Sequence, residues 1–270
     1  MPTKYTDVEG HAIYYHYRGA TTLPEVIPDF SRGRKIVFVH GEGGNGAPWH
    51  HQIDALAGKH SPVAFDFPGH GRSAGIEGLM SIPEYADFLA HFMDALKFQS
   101  AVIAGWSMGG AVAMEFALHY PARVEALILI ATAAKFAIPH LRVQQLRAVM
   151  MGRAPQAFVT DEFASKTVQQ NFNAVREMWM EQVKTDPRVR YTDTRACQEA
   201  DLTAAISAIK KPTLILCGEA ATATLRDAEL IKEKIHGAGL AVVPDAGNMI
   251  PVEQPLVVND AIEEFLGELK

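Results

Sequence analysis

The sequence is short of the features that mark several broad protein classes. Its 270 residues include two cysteines, Cys197 and Cys217, too few for a disulfide framework or a four-cysteine zinc site. Positive charge is in deficit, with 25 Lys and Arg against 31 Asp and Glu and a formal net charge of −6. That balance argues against a general nucleic-acid binder, which needs a basic face. Like charges form no long block, so there is no polybasic tail or acidic arm. The longest apolar stretch, Ala126 to Ala134, is about half of what a membrane span requires. The opening residues, Met1-Pro-Thr-Lys-Tyr-Thr-Asp, have none of the apolar character of a secretory signal. Together these absences lead one to expect a cytoplasmic protein with no nucleic-acid or membrane partner. What is present is ordinary globular composition, 48% hydrophobic and 21% charged, in a chain long enough to bury a real core.

Short apolar runs bounded by Gly and Pro recur along the chain. They fall at Ala12 to Tyr17, Lys35 to His40, Pro62 to Phe67, Ala101 to Ala104, Val124 to Ile130, Thr213 to Cys217 and Leu240 to Val243. Such runs suit strands covered on both faces. Helical periods alternate with them, at His50 to Ala57, Ile82 to Leu96, Gly109 to His119, Leu225 to His236 and Leu256 to Leu269. Thr224 with Asp227 three residues on reads as a capping box at the start of the fourth. The expected fold class is α/β, a mostly parallel central sheet with helices on both faces.

Residues 135–200 break this rhythm. No good strand run occurs there, and apolar positions such as Phe136, Met150, Phe158, Phe163, Met178 and Trp179 are spaced as in helices. The segment is expected to be a helical lid over the carboxyl edge of the sheet, where open α/β folds bind ligands. Residues 1–134 and 201–270 would form the core. Its Met and aromatic residues either pack the insertion itself or give an adaptable wall to an apolar ligand.

Gly105-Trp106-Ser107-Met108-Gly109 fits G-x-S-x-G, directly after an apolar run and directly before a helical one, the context that a nucleophile elbow requires. A sharp turn there aims Ser107 outward, tolerates only small neighbours, and puts the serine at a helix N-terminus that favours developing negative charge. His40-Gly41-Glu42-Gly43-Gly44 ends another strand. It reads as an oxyanion loop, with the backbone N–H groups of Glu42 and Met108 as donors, or, taken alone, as a glycine-rich turn. It is no phosphate loop, since no Gly-Lys-Ser/Thr follows. Asp66-Phe67-Pro68-Gly69-His70-Gly71-Arg72-Ser73 is a third turn, more structural than chemical.

With these motifs the chain resembles the α/β-hydrolase fold superfamily, most like its small esterase, lipase and carbon–carbon bond hydrolase branch. The resemblance implies Ser107 as nucleophile, with an acid and a histidine following in chain order. It implies no cofactor and no metal. His40, Gly41, Trp106 and Met249 flank the motifs and are expected to line the substrate pocket, which would take a small apolar ester or carbonyl ligand. The acid position, in a pattern like G-E-x-D, falls in Gly218-Glu219-Ala220-Ala221 and holds Ala221. The base position, in a pattern like G-H-x-x-x-x-E-x-P, falls in the segment from Gly247 to Pro255 and holds Asn248. An asparagine amide cannot take a serine proton near neutral pH, so hydrolysis should be strongly impaired. His50, His51, His70, Glu219 and Asp245 are the nearest substitutes by loop position; the histidines are expected to be solvated or packing, and Glu219 has no histidine to orient. His50 and His51 lack the i, i+4 spacing that puts two metal ligands on one helix face. Three readings stay open: an inactivated or redesigned serine esterase, a non-catalytic small-molecule receptor, and a different reaction using the oxyanion hole and Asn248. Substrate identity and oligomeric state are not legible at this level.

Overall fold

The computed structural model describes residues 2–156 and 160–269. Phe158, one of the insertion's apolar positions, lies outside them. The described residues form an eight-stranded sheet in the order β1-β2-β4-β3-β5-β6-β7-β8. The strands are β1 (Thr3–Val8), β2 (His11–Tyr17), β3 (Lys35–Val39), β4 (Ser61–Phe65), β5 (Ala101–Trp106), β6 (Val124–Ile130), β7 (Thr213–Gly218) and β8 (Gly239–Val243). β1 and β2 pair antiparallel, β2 meets β4 antiparallel, and every later pairing is parallel. β1 is not among the expected strands, because it is an edge strand, half exposed along most of its length, and carries no continuous apolar run.

The helices are α1 (His50–Leu56), α2 (Ile82–Ala95), α3 (Met108–His119), α4 (His140–Met150), α5 (Ser165–Gln170), α6 (Phe172–Gln182), α7 (Pro187–Glu199), α8 (Thr222–Lys234), α9 (Ile250–Glu253) and α10 (Pro255–Glu268). No helix among the described residues is long and apolar enough to cross a membrane. Strand alternation splits the core in two. Val37 and Val39 join Phe92, Met114 and Ile231 of α2, α3 and α8 on one face. Ile36 and Phe38 join Ile53, Leu56 and Ile262 of α1 and α10 on the other. Period-two side chains on doubly covered strands produce this layering.

α8 starts earlier than its expected cap. Ala221 precedes its first residue with no side-chain cap, so Thr224 and Asp227 lie inside the helix. The Thr224 hydroxyl donates instead to Asn248 Oδ1 at 2.8 Å, a tertiary partner that local spacing cannot reveal.

α4 to α7 occupy the segment between β6 and β7, and its two ends meet. Leu202 N donates to Ala134 O at 2.8 Å, and Lys135 Nζ pairs with Asp201 at 2.7 Å. The helices therefore leave and rejoin the sheet at one point, beyond the carboxyl ends of β6 and β5.

Two glycines let that edge close up. An added Cβ on Gly105 would fall 2.0 Å from Gly109 O, and one on Gly109 would fall 2.2 Å from Val39 O. β3, β5 and α3 touch there backbone to backbone. Gly105→Ala is expected to destabilise the fold by about 1–3 kcal/mol or more through overpacking. Gly58→Ala, where an added Cβ meets nothing within 4 Å, should stay within about 0.5 kcal/mol. Denaturant midpoints of the two variants check this.

Candidate functional site

Ser107 stands between β5 and α3 with φ 54° and ψ −119°, a conformation that costs a non-glycine residue about 1–3 kcal/mol and persists only when its surroundings impose it. They do so by hydrogen bonds. Ser107 N donates to Ile130 O at 2.9 Å, and Ser107 O accepts from Gly110 N at 2.9 Å and from Thr132 Oγ1 at 2.7 Å. The elbow expected from the sequence is thus present as a local geometry. Gly41 lies directly alongside, since an added Cβ there would sit 3.1 Å from Ser107 Cβ.

Ser107 opens into a cavity of about 440 Å³, whose lining includes His40, Gly41, Glu42, Trp106, Asn248 and Met249. The structure therefore gathers the expected pocket residues. Met108, fully buried, begins α3 with its N–H at the free end of the helix. Ala221 is not part of the lining. It precedes α8 and packs against the core.

Asn248 is held on both sides. Its Oδ1 accepts from Thr224 Oγ1 at 2.8 Å, and its Nδ2 donates to Glu162 Oε2 at 2.9 Å. Asn248 N also donates to Glu162 O at 2.7 Å, and Trp106 Nε1 donates to Asn248 O at 2.9 Å. Buried Glu253 fixes the loop from below, accepting from Gly247 N at 2.9 Å, Met249 N at 3.1 Å, Ala164 N at 2.9 Å and Thr167 Oγ1 at 2.7 Å. Glu162, Ala164 and Thr167 all come from the insertion. Among the described residues Ser107 Oγ has no hydrogen-bond partner.

His40, expected as a pocket residue, and His70, offered as a substitute, are both engaged elsewhere. His40 is buried and neutral. Its Nε2 accepts from Phe67 N at 3.2 Å while Nδ1 faces Gly41 O at 2.9 Å, and burial pushes its pKa down to about 3. His70 is fully buried, with Nε2 at 2.7 Å from Asp193 Oδ2 and Nδ1 at 3.0 Å from Pro68 O. Both of its neighbours are acceptors, so both nitrogens donate and the ring is an imidazolium. Burial opposes that charge, but the Asp193 carboxylate outweighs it and raises the His70 pKa. Glu219 accepts weakly from Asp245 N at 3.4 Å, and Asp245 pairs with Lys166 at 2.5 Å; neither faces the cavity.

His50 and His51 meet an unexpected third group. Glu177 of α6 lies 3.4 Å from His50 Nδ1 and 3.5 Å from His51 Nε2. One donor atom from each of the three residues falls within 4.8 Å of the others, a set that could hold a metal ion. Sequence spacing does not reveal it, because the third ligand comes from another element. The group stands apart from the lining of the Ser107 cavity.

Asp193 of α7 joins the insertion to the loops around Ser107. Besides His70, it accepts from Gly43 N at 2.7 Å and from the Tyr85 hydroxyl. Burial works against its charge, and His70 with these donors holds its pKa below the usual carboxylate value. Nothing in the local sequence marked Asp193 or Glu162, and Thr224 stood out only as a helix cap. Nor did it mark Arg142 and Arg190, which bring charge into a lining expected to be apolar. Many of the insertion's apolar side chains instead face outward, including Leu141, Met151, Phe172, Trp179 and Met180.

A serine on a sharp strand-to-helix turn at the carboxyl edge of a parallel sheet, with a glycine-rich loop beside it, is the arrangement of an α/β hydrolase. The chain belongs to the alpha/beta hydrolase family, whose description matches residues 36–261. The 3-oxoadipate enol-lactonase 1 of Acinetobacter baylyi is 27% identical over 251 residues, 92% of this chain and 94% of that relative. An acetyltransferase component of the acetoin cleaving system from Cupriavidus necator is 32% identical over 127 residues, 47% of this chain. The match spans about a third of that longer relative (31%). Among solved structures, a hydrolase from Pseudomonas aeruginosa PA01 superposes with a TM-score of 0.84 at 25% identity, covering 97% of each chain. The enol-lactonase from Burkholderia xenovorans LB400 superposes with a TM-score of 0.83 at 24% identity, covering 98% of this chain and 100% of that one.

The buried His70–Asp193 pair sets a pH-dependent prediction. Asp193→Asn strands an imidazolium in the interior and should cost about 3–5 kcal/mol. A raised histidine pKa contributes stability that is full below the unfolded value and lost as pH rises through the folded one. The penalty of Asp193→Asn should therefore be larger at pH 6 than at pH 9, as measured by urea unfolding at each pH.

Proposed function

We propose that this chain is a serine hydrolase scaffold for carboxylic esters, lactones or related carbonyl compounds, with strongly reduced turnover. Ser107 is the nucleophile in this reading, and the backbone N–H groups of Glu42 and Met108 receive the oxyanion. Helices α4 to α7 act as the lid. Support for the substrate class comes from the family itself and from a full-length relative named as an enol-lactonase. The buried free thiols Cys197 and Cys217 fit a cytoplasmic setting.

One observation carries the reduced turnover: the Asn248 side chain is committed to Thr224 and Glu162. A neutral serine hydroxyl needs a base within hydrogen-bond reach. Asn248 has no basic atom, and its acceptor oxygen already takes a hydrogen bond from Thr224. Loss of the histidine in a serine protease lowers kcat by on the order of 10⁶, while an oxyanion hole and binding alone leave about 10³–10⁴ over water. The same clamp favours, as a second reading, a pocket that binds its ligand without turning it over. It disfavours a reaction using Asn248 as a proton carrier.

Hydrolysis of p-nitrophenyl acetate tests the proposal. Ala221→Asp combined with Asn248→His should raise kcat by at least about 10³, and Ser107→Ala in that background should return it to the starting level. Asn248→His alone should recover part of the gain, because Glu162 Oε2 already lies within 2.9 Å of the side chain at that position and can orient an imidazole. A fluorophosphonate should label Ser107 slowly in the parent chain and quickly in the doubly substituted one. Fast labelling of the parent, or no gain on restoration, overturns the reading.

A further inference from the structure

Two guanidinium groups share the cavity with Ser107. Arg142 on α4 and Arg190 on α7 both line it. Arg190 is 8% exposed, and its stem lies against the glycine-rich loop, where an added Cβ on Gly43 would fall 2.9 Å from Arg190 Cγ. Among the described residues neither guanidinium makes an ion pair or a hydrogen bond. A buried cation normally has a partner, because taking it out of water is costly otherwise. Burial draws the Arg190 pKa down, and Arg142 nearby adds to the effect while Glu42 and Glu162 oppose it.

Glu42 and Glu162 attract the Arg190 charge through space, but no carboxylate among the described residues lies within ion-pairing distance of either guanidinium. Glu162 accepts from Asn248 at 2.9 Å. Glu181 pairs with Lys184 at 2.5 Å and accepts from Asn45 at 3.2 Å. Burial pushes the Glu42 carboxyl up, and Arg190 and Arg142 pull it back down. Asp161 and Asp227 also line the cavity, yet neither forms an ion pair with either arginine.

We propose that Arg142 and Arg190 bind a carboxylate carried by the ligand whose ester or lactone carbonyl faces Ser107. The substrate class is then a half-ester or a carboxylated lactone, in place of a neutral apolar ester. The location of the carbonyl rests on the hydrolase reading above; the anion site does not. A planar carboxylate matches the guanidinium fork. A phosphate dianion would set a second negative charge in a cavity already lined by Asp161, Glu162 and Asp227. The cavity volume of about 440 Å³ is in the range of small-molecule sites.

Calorimetric titration of the intact chain with monomethyl adipate, dimethyl adipate, adipate and monomethyl phosphate tests this. The half-ester should bind at least about tenfold more tightly than the diester. Arg190→Met and Arg142→Met should each bring the two esters to equal affinity and weaken adipate in parallel. Melting temperatures report whether each variant folds, and Arg142, half-buried on α4, decides the matter if the Arg190 variant does not. Equal binding of the two esters by the parent chain overturns the anion site, as does a preference that survives both substitutions or a failure of both carboxylates to bind. Monomethyl phosphate binding as tightly as the half-ester overturns the carboxylate assignment. If the carboxylates bind through the arginines but the doubly restored chain hydrolyses neither ester, the hydrolase reading falls and the anion site stands.

Discussion

Where β3, β5 and α3 converge, three stretches of backbone pass through a space too small for one methyl group. Gly105 and Gly109 permit that approach, and its consequence is the Ser107 backbone at φ 54°. A serine in that conformation is strained, and the bonds from Ile130, Gly110 and Thr132 hold it there. The turn aims the side chain past the end of the sheet, sets Gly41 beside it, and fixes the floor of the cavity. The other walls are arranged around this point.

The insertion supplies those walls and also braces them. Asp193 reaches from α7 to Gly43 N and to His70, so a buried ion pair in the helical segment positions the glycine-rich loop that Glu42 belongs to. Glu162 and Glu253 do the same for the loop carrying Asn248. Positioning is therefore intact on every side of Ser107. Asn248 is held in turn by Thr224 and Glu162, and in the proposed reading its amide gives Ser107 no base. In that reading the frame around Ser107 binds and polarises a carbonyl far better than it cleaves one.

Legibility in the sequence followed the range of each interaction. The elbow, the glycine-rich loop and strands β3 to β7 depend on neighbours a few residues apart, and their motifs and apolar runs announced them. Ala221 and Asn248 stood out for the same reason, as departures from the short patterns that the family resemblance supplies. β1 escaped because an edge strand needs no apolar run. The α8 start was misplaced because Thr224 answers to Asn248, 24 residues away. His50 and His51 looked unpaired until α6 brought Glu177 to them.

By itself the sequence determined the layered α/β architecture, the strained serine turn, and the Ala221 and Asn248 that stand where the family resemblance places an acid and a base. These are local or periodic properties, carried by residue type and spacing. The tertiary structure decided the character of the cavity. Asp193 lies 150 residues from the amide it holds, and Glu162 lies 86 from Asn248. Arg142 and Arg190 sit on different helices and meet only in the fold. Whether such charges are solvated, paired or held facing a ligand depends on burial and on distant partners, which no short pattern encodes.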